Sequence, residues 1–271
     1  MPDYEISKFN PKKIEERRTG AGPPTCVFIG KRGTGKSTLV ADILYQCRKV
    51  PVGAVVSATE EGNHYYQQYV PEVFIHNEYS PELIESIVNR QKEMLKKNAP
   101  NPDAFILLDD CMYDRRIMKD KNIKGVFFNG RHWKILFFLT MQYCMGIPPD
   151  FRTNIDYVFA LRDNNIGNQK KLYAHYFGLF PTFEEFRNVM NSCTEGYDCL
   201  VLDNTARSNN IKDCVFWYRA QSNRVFKIGS KEIWKYDKNF LMKDDNIKDS
   251  QKDTNTPKDK SKAKKIKSGK K

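Results

Sequence analysis

Apolar residues along this chain fall into short solid blocks separated by stretches with helical spacing. Residues 24–29, 50–57, 73–76, 104–108, 134–140 and 155–161 are runs rich in Val, Ile, Leu and Phe. Runs of that length, bounded by polar loops, predict strands buried on both faces, as in a parallel sheet. Between them lie helical stretches. Ser80-Pro81 places an N-cap and a first-turn proline ahead of an apolar face made by Leu83, Ile84, Ile87, Val88 and Leu95. Residues 96–102, with Pro100 and Pro102, close that helix. Residues 39–45 and 168–176 read as helices too, and Thr182 with Glu185 three residues on opens another. Further strands are expected at 197–203 and 215–220, with 226–229 extending the last, as the far edge of the same sheet. Such alternation predicts an α/β fold with a mostly parallel central sheet flanked by helices.

The most informative polar stretch stands between the first strand and the first helix. It reads Gly30-Lys31-Arg32-Gly33-Thr34-Gly35-Lys36-Ser37-Thr38, and Gly30, Gly35, Lys36 and Ser37 meet the spacing G-x-x-x-x-G-K-[ST] of a phosphate-binding P-loop, the Walker A motif. Glycines let the backbone curl so that successive N–H groups face a polyphosphate, and the helix N-terminus adds its own. Lys36 is placed to contact the β- and γ-phosphates, and the Ser37 hydroxyl to complete a Mg²⁺ shell. A glycine turn that matches by accident has no reason to join a strand to a helix. All nine residues, 30–38, are therefore candidate ligands of ATP.

The acids come next. The apolar run 104–108 ends in Asp109-Asp110. In a parallel sheet the ligand lies at the carboxyl ends of the strands, so these acids belong beside the P-loop. Asp109 is the candidate Mg²⁺ ligand, mainly through water, and Asp110 the candidate base for the attacking water, together a Walker B pair. Asp is common after strands, and the pair gains meaning from the P-loop upstream. Gln142, at the tip of the 134–140 run, is placed to sense a γ-phosphate or orient water. Arg131 precedes that run, at the opposite end, suited to reach across an interface. Arg152, in the segment before the next strand, is a second arginine candidate, expected on the nucleotide side. The cluster Tyr65, Tyr66 and Tyr69 suits either base stacking or core packing.

Composition narrows the class. At 271 residues, 40% hydrophobic and 13% aromatic, the chain suits one good-sized domain, expected over residues 23–242. Residues 1–22 read as a flexible, solvated lead-in carrying Lys12, Lys13, Arg17 and Arg18. From residue 243 eleven Lys face five Asp, so half of the net charge of +12 lies in a tail too polar to bury itself, expected to be disordered. Such a tail holds DNA by counterion release or simply solubilises the chain. Seven scattered cysteines contain no C-x-x-C pair, which gives no zinc spacing and suits a reducing compartment. No apolar span of 18 residues is present, so no integral membrane segment and no secretion are expected.

With these motifs in place, the chain resembles the poxvirus-type branch of the FtsK–HerA superfamily, the DNA-packaging ATPases of large double-stranded DNA viruses. The residues that carry the resemblance are GKRGTGKST, FILLDDCMYD, and the run from Gly130-Arg131-His132-Trp133-Lys134 through TMQYCMGIPPDFRTNIDYVFAL. The resemblance implies a RecA-like core that assembles as a homo-oligomeric ring and spends ATP, with Mg²⁺, on driving double-stranded DNA into a capsid. Lys36 and Ser37 match its Walker A pair, Asp109 and Asp110 its Walker B pair, and Gln142 the glutamine after the fourth strand. Arg131 matches the arginine before that strand, a trans-acting finger, with Arg152 as the second candidate. The acidic pair departs from the Asp-Glu of wider FtsK–HerA enzymes. The resemblance further implies a capsid, portal or membrane component as partner, and residence in the host cytoplasm at sites of virus assembly or in the virion. A P-loop kinase or nucleotide-dependent switch acting on a small molecule is the competing reading, and a scaffold with a vestigial ATPase the third. The absence of an arginine-rich lid argues against the kinase, and intact Lys36, Ser37, Asp109 and Asp110 against the scaffold.

Overall fold

The computed structural model describes residues 4–114 and 116–238. Its first half runs β1 (Ser7–Lys8), α1 (Lys12–Thr19), β2 (Thr25–Ile29), α2 (Lys36–Gln46), β3 (Val52–Ser57), α3 (Glu60–Asn63), β4 (Ile75–His76), α4 (Pro81–Lys96) and β5 (Ala104–Asp109). Then follow α5 (Lys121–Asn129), β6 (Ile135–Met141), α6 (Pro149–Arg152), β7 (Tyr157–Leu161), α7 (Ile166–Tyr176), α8 (Phe183–Cys193), β8 (Asp198–Asp203), α9 (Ile211–Cys214) and β9 (Val215–Arg219). Among the described residues the strands form one sheet in the order β1-β9-β8-β7-β2-β6-β5-β3-β4. Every pairing is parallel except the two made by β8.

The solid apolar blocks are solid because both faces of the sheet are covered. Alternate residues of one strand enter different cores: Val27 and Ile29 face one, Cys26 and Phe28 the other. The first core receives Ile84 and Val88 of α4, Ile123 and Val126 of α5, Leu172 of α7 and Phe186 of α8. The second receives Ile14 of α1 and Leu39, Val40, Ile43 and Leu44 of α2. Fully burying one such side chain contributes about 1.5–3 kcal/mol. The caps legible in the sequence are made. Ser80 Oγ accepts from Leu83 N at 3.3 Å, and Thr182 Oγ1 accepts from Glu185 N at 3.3 Å.

Three elements differ from expectation. The stretch expected to be a flexible lead-in at residues 1–22 carries, over its described part, a strand on the sheet edge and a helix in the second core. Phe9 and Ile14 are buried, and Arg18 is too, paired with Glu15 at 2.7 Å and with Asp103. Polar composition hid two apolar anchors. Residues 226–229 do not extend β9; Ile228 N instead donates to Tyr69 O at 2.8 Å and Gly229 N to Val50 O at 3.2 Å. The larger compact unit ends at Lys231, where 242 was expected, and Phe226 and Ile228 are the last apolar residues buried in it. In the second unit, which begins at Glu232, the described residues 232–238 are helical. The Lys-rich stretch from 243 lies outside the described residues.

Candidate active site

Register fixes which residues share an edge. Ile29 at the end of β2 pairs with Met141 at the end of β6, and Asp109 at the end of β5 pairs with Ser57 at the end of β3. Gly30, Asp109, Asp110 and Gln142 therefore emerge together at the carboxyl edge of the sheet, where ligands of parallel α/β sheets bind. Gly30 N donates to Met141 O at 3.0 Å, which ties the root of the loop to the root of Gln142.

The loop needs its glycines. Gly33 and Gly35 have φ of 81° and 89°, in the left-handed region. A Cβ on Gly30 would meet Thr34 Oγ1 at 2.8 Å and Leu161 at 2.9 Å. The turn is held by Thr34 Oγ1 donating to Lys31 O at 2.7 Å, and Lys31 pairs with Asp163 beyond β7 at 2.7 Å. Arg32 lies exposed at the tip. Lys36, Ser37 and Thr38 form the first turn of α2, with Lys36 nearly enclosed.

The two acids are set by one residue that sequence reasoning passed over. Thr140 Oγ1 donates to Asp109 Oδ1 at 2.7 Å and accepts from Asp110 N at 2.9 Å. Asp110 is held at φ 52°, in the left-handed region where few non-glycine residues sit. Its carboxylate pairs with Lys36 Nζ and accepts from Gln142 Nε2 at 3.2 Å. Burial raises the pKa of Asp109; the Thr140 hydrogen bond opposes that rise, the charge of Asp110 adds to it and Lys36 opposes it. Asp109 Oδ2 accepts a long bond from Ser57 Oγ, at 3.5 Å. A desolvated carboxylate with an under-used oxygen beside a second carboxylate suits a hard cation, and Ser37 and Asp109 offer the oxygen donors Mg²⁺ prefers. Among the described residues there is no cluster of three His, Cys, Asp or Glu that would hold a metal without help from a substrate. The signal for Thr140 was present: a hydroxyl in an otherwise apolar run, two residues before Gln142.

Other candidates lie elsewhere. Tyr66 and Tyr69 are buried in the second core. Glu60 Oε1 fixes that segment by accepting from Tyr66 N at 2.7 Å and Gln67 N at 3.0 Å, so core packing accounts for the tyrosine cluster. The Tyr66 hydroxyl faces Asp109 without hydrogen-bond geometry, and burial, then the Asp109 charge, pushes its pKa up. Arg131 lies at the opposite edge of the sheet, as its position before β6 predicts. It is about half exposed and donates to Asp156 Oδ1 at 3.0 Å. Arg152, expected on the nucleotide side, ends α6, and its carbonyl accepts from Ile155 N at 3.2 Å. Its charge acts on Cys144, just past the carboxyl end of β6, and on His175 and Tyr176 of α7. The short α6 turns the chain back across the sheet before β7 starts. Neither arginine joins Lys36 and the acids within one chain.

No protein-family model matches the chain. It is 40% identical over 243 residues to the uncharacterized protein 075L of Invertebrate iridescent virus 6, covering 87% of this chain and 94% of that one. The chain belongs to this family of large-DNA-virus proteins. The family includes protein L437 of Acanthamoeba polyphaga mimivirus, 36% identical over 85% of this chain and 82% of its own length. It also includes protein 015R of Frog virus 3, 36% identical over 87% and 74%. Among solved structures, the family fold is similar to the genome packaging NTPase B204 from Sulfolobus turreted icosahedral virus 2 in complex with AMPPCP. That match has a TM-score of 0.53 and 13% identity over 79% of this chain and all of that one. B204 from Sulfolobus turreted icosahedral virus, described as a DNA-packaging ATPase, matches with a TM-score of 0.54 and 15% identity over 73% and 98%. The chain thus shares the α/β fold of B204, with a mostly parallel central sheet flanked by helices.

Proposed function

We propose that this chain is an ATP-hydrolysing motor that moves double-stranded viral DNA into a capsid, as a homo-oligomeric ring of the poxvirus-type branch of the FtsK–HerA superfamily. One observation carries the reading. Three separate segments deliver Lys36, Asp109 with Asp110, and Gln142 to one sheet edge, with a glycine loop and a helix N-terminus beside them. A triphosphate would lie along residues 30–38, with Lys36 on its β/γ oxygens. Ser37 and Asp109 would hold Mg²⁺, whose chemistry is to neutralise charge developing on the phosphates. Asp110 takes the proton of the attacking water, and Gln142 orients that water. Arg131 stands at the far edge, so it can serve this chemistry only in a neighbouring copy, and a ring supplies that neighbour; Arg152 is the second candidate. The fold similarity to B204, itself described as a genome packaging NTPase, supports the same reading. Double-stranded DNA, a capsid or portal component and assembly sites in the host cytoplasm complete the proposal.

The test is phosphate release from Mg·ATP by the purified chain beside Lys36→Ala. The expected result is turnover in the first and at least a hundredfold less in the second. Equal rates, or none in either, would remove the ATPase reading.

A further inference from the structure

A cavity of about 600 Å³ opens beside the P-loop on the side away from the acids. Gly33, Gly35 and Thr38 form one wall, and Gly196, Tyr197 and Arg219 the other. Its volume lies within the ~300–1,000 Å³ usual for small-molecule sites. We infer that this cavity takes the purine base and ribose of the nucleotide, with the base stacked on Tyr197. The inference rests on the P-loop reading above and adds a residue outside every motif.

Three observations point the same way. The sheet order puts β6 and β5, with Gln142 and Asp109, on one side of β2, and β7, β8 and β9 on the other. The γ-phosphate belongs with the acids, so the base must leave the loop towards β8 and β9, where the cavity lies. Thr38, one residue past the Mg²⁺ candidate Ser37, lines both the first turn of α2 and the cavity, which gives a continuous path from phosphate to base. Tyr197 itself is 68% exposed at the cavity wall. Its ring rests on the loop, 3.1 Å from where a Cβ on Gly35 would stand. One face of that ring is left for a planar partner.

The opposite wall is built to stay in place. Asp42, fully buried on α2, accepts from Gln221 N at 2.9 Å and from Arg224 Nε at 2.6 Å. Those bonds tie the segment after β9 to the helix that carries the P-loop. Arg219 is drawn to Asp198 at the base of β8, which fixes its guanidinium at the cavity mouth. Stacking does not depend on which base is present, because every base has a π-face. ATP and GTP should therefore lose affinity together when the ring is removed.

The experiment measures binding of ATP, GTP and inorganic tripolyphosphate, each with Mg²⁺, to the full chain, to Tyr197→Ala and to Tyr197→Phe. The expected result is a roughly five- to hundredfold weaker affinity of Tyr197→Ala for both nucleotides, the range of base–aromatic stacking. Tripolyphosphate affinity should stay unchanged, and Tyr197→Phe should bind all three as the natural chain does. Unchanged nucleotide affinity in Tyr197→Ala would overturn the base site and leave the P-loop reading standing. An equal loss for tripolyphosphate would overturn it too, by assigning Tyr197 to the shape of the loop. A natural chain that binds none of the three would contradict the nucleotide site itself, and the base site with it.

Discussion

Thr140 sits between two carboxylates that repel each other and gives each a different task. Its hydroxyl proton goes to Asp109, and its oxygen takes the backbone N–H of Asp110. The second bond helps hold Asp110 at positive φ, aimed at Lys36 and Gln142 rather than along the strand. Thr140→Val keeps the shape and removes both bonds. It is expected to lower hydrolysis about 10–100-fold, the usual cost of losing a partner of a metal-binding residue, with ATP affinity little changed. Steady-state rates and equilibrium binding on the same preparation check this; a parallel loss of affinity would mean that Thr140 shapes the binding site instead. Asp110→Asn tests the charge alone, because Asn also tolerates the left-handed region. Turnover should vanish while the fold and ATP binding persist. Of these residues, Lys36, Asp109, Asp110 and Gln142 were legible because each stands at a motif position or strand tip. Thr140 was marked only by a hydroxyl in an apolar run, and its role, like that of Tyr197, lies in contacts with residues far away in sequence.

Elements were easiest to read where burial on both sides makes a strand apolar throughout, as in 104–108 and 134–140. They were hardest at the edges. The helix α1 is mostly Lys, Arg and Glu, and its place in the fold rests on Ile14 and on ion pairs that no local pattern announces. Asp156 is the hub: Arg17 and Arg131 pair with it, and it accepts from Thr25 N at 2.9 Å. Asp156→Ala strands a mostly buried arginine and a buried backbone N–H, and should cost about 3–5 kcal/mol in urea unfolding. Arg131→Ala removes only the half-exposed partner and should cost no more than about 1 kcal/mol. Arg131→Ala is nevertheless expected to abolish turnover while ATP still binds. A stable variant with full activity would remove Arg131 as the finger and leave Arg152 as the candidate.

At the scale of the molecule, the sheet separates two sets of candidate residues along its strands. The carboxyl edge holds the loop, the acids and Gln142; the opposite edge holds Arg131. One chain therefore presents a candidate site at one end and the arginine that would complete it at the other. That polarity was partly legible, since Arg131 precedes a strand whose far end carries Gln142. An arginine supplied by a neighbour contributes about three to five powers of ten where it operates, so assembly and turnover should rise together. The most direct measurement is the ATP hydrolysis rate per chain across a range of protein concentrations, with and without duplex DNA. The account predicts a rate per chain that climbs steeply with concentration and climbs further when duplex DNA is added. A rate per chain that is flat with concentration and indifferent to DNA would contradict it.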